Sequence, residues 1–176
     1  MVNIDKANKE VKELFNYLSP IATDIVKNRT KLLDNTIKKL SVDIETLSNE
    51  QIRNYMAILS VEAYNLSLDK EQSALKDSCA TALYKEGVAT SFSGSVGTVE
   101  SRKNQSTIDN LDKQAVSILY STVYELFKTK VDEAHRVVNV LSNILISRSA
   151  EAKLQYNPRS EEIIYLNSVQ ENKQEV

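Results

Sequence analysis

Apolar residues recur along this chain at every third or fourth position, the spacing that lines one face of a helix. A first series covers residues 4–18, with Ala7, Val11, Leu14, Phe15 and Leu18 in phase. Ser19-Pro20 then reads as an N-cap followed by proline at the first helical position. The helix it opens carries Ile21, Ile25, Leu32, Leu33, Ile37 and Leu40, and the chain turns near residues 41–47. Ser48 and Gln51 stand at the spacing of a capping box, so a new helix starts there. Its apolar positions are Ile52, Tyr55/Met56, Leu59, Ala63, Leu66, Leu75, Cys79 and Ala82/Leu83, weakening where Asp69, Lys70, Glu71 and Gln72 crowd in. With no breaker before Gly87, this helix predicts a length of about 55–60 Å.

Beyond residues 87–97, Thr98 can cap a second long helix, with Glu100 favourable in its first turn. Leu111, Ala115, Ile118/Leu119, Val123, Leu126/Phe127, Val131, Ala134, Val137/Val138, Leu141 and Ile144/Leu145 keep the period until Asn157-Pro158. The fold class expected is therefore all-α. A long antiparallel, coiled-coil-like hairpin spans 48–157, with its loop at 87–98. Two shorter helices over 1–47 precede it, and a short helix near residues 160–166 belongs to a C-terminal tail over 158–176. The apolar stripe is two residues wide at several places, more than one hairpin partner covers. Contiguous exposed apolar surface marks an interface, so a homo-oligomer is expected.

Composition narrows the function classes. All three glycines, Gly87, Gly94 and Gly97, fall in one short window, and the prolines, Pro20 and Pro158, lie toward the ends. No apolar run approaches the roughly 20 residues needed to cross a bilayer. The N-terminus lacks a signal-peptide pattern, and Cys79 is the single cysteine. A cytoplasmic protein fits these features.

Catalysis finds no convergent constellation. His135 lies mid-helix beside Arg136, and Cys79 reads as a small core residue. Gly94-Ser95-Val96-Gly97-Thr98 lacks the lysine and preceding strand of a phosphate-binding loop. Neither an enzyme, a metal site nor a cofactor is expected. Net charge is −2, yet residues 1–40 hold eight Lys/Arg against five Asp/Glu, and Lys27, Lys31 and Lys38 share a helical stripe. A second cationic set flanks the loop: Lys76 and Lys85 before it, Arg102 and Lys103 after it. There Ser91, Ser93, Ser95 and Thr98 offer hydrogen bonds to phosphate, the following helix offers its N-terminal amides, and Phe92 or Tyr84 offers a stacking ring.

The segment Gly97-Thr98-Val99-Glu100-Ser101-Arg102-Lys103, opening a long charged helix, follows a helix carrying Glu62-Ala63 and Ala74-Leu75-Lys76. Over residues 50–155 this arrangement resembles small phage recombination proteins of the UvsY-type mediator family. The resemblance implies a helical subunit that assembles into rings and binds single-stranded DNA. It also implies a role in helping a recombinase displace the single-strand-binding protein in a bacterial host cell. Arg102 and Lys103 match the basic start of the second helix and Lys76 the basic position before the loop; Ser106 departs from a small apolar residue. The competing expectation is a helical scaffold, protein-interaction or inhibitor protein of phage origin that binds no nucleic acid.

Overall fold

The computed structural model of the chain describes residues 4–155, and within them every regular element is helical. Helix α1 spans Ile4–Asp43, α2 Asn49–Gly94, α3 Val99–Ile108 and α4 Leu111–Gln155. Helices α2 and α4 pair along the hairpin, and α1 folds back on them, mainly along α4. The 46 residues of α2 extend about 69 Å at the usual helical rise. The capping box at its start is present, with Ser48 accepting from the Gln51 amide and Gln51 accepting from the Ser48 amide. The tail helix expected near residues 160–166 lies outside the described residues.

The chain does not restart at Ser19-Pro20. Pro20 sits inside a continuous α1, although its ring deprives the Asn16 carbonyl of a donor, at a typical cost of about 3 kcal/mol. Burial on both sides of Pro20 carries the helix through. Leu18, Ala22, Val26, Leu33 and Leu40 are buried, while Pro20 itself faces solvent. One core forms where α1 lies over the hairpin, built from Ala22, Val26 and Leu33 of α1, Ile52, Leu59 and Leu66 of α2, and Val123, Phe127, Ala134 and Leu141 of α4.

Polar ties set the register. Arg29 donates two bonds to Asp69, at 3.0 and 2.9 Å. Lys130 reaches Asp34 at 2.7 Å and Glu133 at 2.8 Å. Partial burial pulls the Lys130 pKa down, but these bonds outweigh it and leave the ammonium above its ordinary range. A raised lysine pKa keeps the ammonium charged through neutral pH, and its contribution is lost as pH rises past the ordinary value of about 10.4. At the base, Arg148 donates to the carbonyls of Leu47 and Glu45, fastening α4 to the α1–α2 turn.

Two further boundaries differ from those the periodicity predicts. Helix α2 runs through Gly87 to Gly94, so only residues 95–98 separate it from α3. The second long helix is also broken, because α3 ends at Ile108 and α4 begins at Leu111. Buried Asn110 occupies the break, donating to the Ser106 carbonyl at 2.8 Å and to the Ser91 hydroxyl at 3.2 Å. Thr98 therefore caps ten-residue α3, accepting from the Ser101 amide.

The seam of α2 explains the first difference. Ile52, Leu59, Leu66, Ser73, Ala80 and Gly87 follow one another at seven-residue intervals, and all are buried. The series shrinks steadily toward the tip. Small side chains there let α2 approach polar partners on the facing helices: Thr81 bonds Ser117, which donates to Asp77, and Gly87 lies against Asn110. A β-carbon on Gly87 would collide with the Asn110 amide and the Lys113 ammonium. Gly87→Ala is accordingly expected to destabilise the protein by about 1–2 kcal/mol, even though alanine is intrinsically the better helix former. Gly94→Ala, with open space around the site, should gain about 0.5 kcal/mol. Thermal unfolding of the two variants checks the opposite signs; a Gly87→Ala protein as stable as wild type would refute this account of the tip.

Candidate nucleic-acid interface

The four cations singled out in the sequence do not form one cluster. Lys85 and Lys103 come together, lining a groove of about 470 Å³ between α2 and α3 with Tyr84, Val88, Ala89, Phe92, Ser106 and Thr107. Helical spacing places Tyr84/Lys85, Val88/Ala89 and Phe92 on one side of α2, and Lys103, Ser106 and Thr107 on one side of α3. The four-residue connection folds α3 back against α2 at this point. Gly97 permits that reversal: its φ of 128° is one that residues with a side chain rarely adopt.

Arg102 has a different task. Its Nε and Nη2 donate to the Phe92 carbonyl at 3.1 and 2.6 Å, and its guanidinium stacks 4.3 Å from the Phe92 ring centre. A cation on the last carbonyls of a helix satisfies orphan acceptors and meets the negative end of the dipole. Arg102 thus clamps the first turn of α3 to the last turn of α2 and fixes the ring that lines the groove.

Lys76 stands apart. It lies nine residues before Lys85, two and a half helical turns, and so projects from the other side of α2. Its ammonium sits 5.5 Å from the centre of the Tyr120 ring. It borders a second groove, of about 520 Å³, with Leu75, Cys79, Leu83, Val116 and Tyr120. That groove is almost wholly apolar.

Two of the four hydroxyls expected as phosphate donors are committed to backbone carbonyls. Ser93 donates to the Ala89 carbonyl and Ser95 to the Ser91 carbonyl, the back-bonding common for serine in helices. Ser91 accepts from Asn110. Thr98 likewise accepts, from the Ser101 amide, so phosphate recognition at the tip would draw on the lysines with the Ser91 and Thr98 hydroxyls beside them. Lys27, Lys31 and Lys38 are exposed on α1, away from this groove.

Cys79 is exposed, against the expectation of a core thiol, because the seam position is taken by its neighbour Ala80. Among the described residues no group of three or more His, Cys, Asp or Glu could hold a metal, and no helix is long and apolar enough to cross a membrane. Comparison with family models, curated proteins and solved structures returns no match for this chain.

Proposed function

We propose that the protein is a non-enzymatic, oligomeric DNA-recombination accessory protein that binds single-stranded DNA at the α2–α3 tip. It would act beside a recombinase and a single-strand-binding protein, as the sequence resemblance implies. The observation that carries this reading is the groove itself. It pairs two lysines, Lys85 and Lys103, with two rings, Tyr84 and Phe92. Single-strand binders that ignore sequence combine cations tracking the phosphates with aromatic rings on which bases stack. A groove this small engages few phosphates, so useful affinity on a chain of net charge −2 requires several copies acting together.

The runner-up is a helical scaffold that binds protein rather than nucleic acid. Its support is the groove around Leu75, Leu83 and Val116, whose surface is almost wholly apolar although Lys76 and Lys113 border it.

Titration of fluorescent single-stranded and duplex oligonucleotides at low and moderate salt, with light scattering to fix the mass, separates the two. Preference for single strands with a steep salt dependence is the expected result. An oligomer that binds neither strand form at low salt would leave only the scaffold.

A further inference from the structure

Helix α2 carries a second apolar series on the side away from its seam. Val61, Tyr64, Leu68 and Leu75 are between 48% and 66% exposed, and Cys79 and Ala82 are exposed with them. Leu75 lies nine residues beyond buried Leu66, so the two point to opposite sides of the helix. Helices α1 and α4 reach only its edges: Arg29 of α1 borders a groove beside Leu68, and Val116 and Tyr120 of α4 border one beside Leu75 and Cys79.

Its spacing is palindromic. From Val61 through Tyr64, Leu68, Leu75 and Cys79 to Ala82 the intervals are three, four, seven, four and three. The centre falls between Glu71 and Gln72. A stripe that reads the same in both directions is complementary to itself when two copies run antiparallel about a twofold axis.

We infer that a second copy of this chain docks on this face, α2 against α2, antiparallel, with the axis between Glu71 and Gln72. In that register Leu68 packs on Leu75 of the second copy, Tyr64 lies over its Cys79, and Val61 meets its Ala82. Large residues fall against small ones at two of the three unique pairs. The contact extends for about 32 Å, three heptads of a two-stranded coiled coil. Charge fits the same register. Glu71 faces Gln72, and exposed Glu86 falls opposite Ala57, one turn from exposed Arg53. The Lys85/Lys103 groove begins about one turn beyond Ala82, at the end of this contact.

The test needs no nucleic acid, so its outcome is independent of the DNA-binding reading. Sedimentation of the wild-type chain should give a mass of at least twice 19.8 kDa. Leu68→Glu combined with Leu75→Glu should give the single-chain mass with helical circular dichroism retained. Tyr64→Cys, under mild oxidation with native Cys79, should yield a covalent dimer within minutes, whereas wild type should not, because antiparallel pairing holds the two Cys79 thiols about 22 Å apart along the helices. A wild-type chain that sediments as a monomer overturns the inference. So does a folded Glu variant of unchanged mass, a Tyr64→Cys protein that stays uncrosslinked, or a wild type that crosslinks as fast as Tyr64→Cys.

Discussion

Replacing Leu59 with alanine should cost about 3 kcal/mol of folding stability, within the range measured for burying a cavity of this kind in a leucine core. Leu59 is fully buried and belongs to the cluster that joins α1, α2 and α4. The void cannot collapse easily, because three helices fixed by Arg29–Asp69, Lys130–Asp34 and the Arg148 bonds surround it. For a chain of this size the loss corresponds to a fall in midpoint of roughly 6–12 °C. Leu68→Ala, nine residues on and exposed on the opposite face, should cost the isolated chain less than about 0.5 kcal/mol. Urea titrations at low protein concentration compare them directly. A Leu59→Ala loss below 1 kcal/mol would mean that the three-helix region is loosely packed.

The second large effect concerns binding. Lys85→Ala with Lys103→Ala should weaken single-strand affinity about tenfold or more per subunit at low salt, and lower the salt slope by about 1.4, the value for two phosphate contacts on a single strand. Tyr84→Ala should behave differently. It should lose about 1–3 kcal/mol per base stacked while leaving the salt slope unchanged. Arg102→Ala is the instructive control: removing the clamp on Phe92 should lower stability at the tip as well as affinity. Oligonucleotide titrations at several salt concentrations, with thermal unfolding of each variant, measure all of these. Unchanged affinity in the double lysine variant would move the site elsewhere, with Lys27, Lys31 and Lys38 the next candidates.

Much of this fold was legible in periodicity alone. The Ser48/Gln51 box announced the start of α2, and the series from Leu111 to Leu145 traced α4, because local capping and burial agree there. Where the reading failed, tertiary packing had overridden a local signal. Pro20 punctuates a chain only when nothing holds the helix on both sides, and Leu18 and Ala22 do. Gly87 looked like a loop residue but is a seam residue, chosen for its lack of a side chain. Leu75 and Cys79 read in sequence as continuing the stripe of Leu66 yet belong to another face, nine and thirteen residues on, since the true seam passes through Ser73 and Ala80. The break at Asn110 had a signal that periodicity does record: no apolar series exists between Val99 and Ile108.

The candidate site was legible as residue types and less so as geometry. Lys85, Lys103, Tyr84 and Phe92 were all named from sequence, and the structure brings them to one groove. The nine-residue spacing already separates Lys76 from Lys85; what sequence could not give was the fold-back that brings Lys103 to Lys85, or the carbonyl that occupies Arg102.

The taper of the α2 seam from isoleucine to glycine gives the rod a graded stiffness. Its base is cemented by hydrocarbon, whereas its tip is held by hydroxyls and amides that water can replace. Opening fluctuations will therefore begin at Gly87 and Asn110, and backbone amides there will exchange long before those flanking Leu59. A strand pulling on the tip would load the compliant end of a lever whose fixed end stays folded.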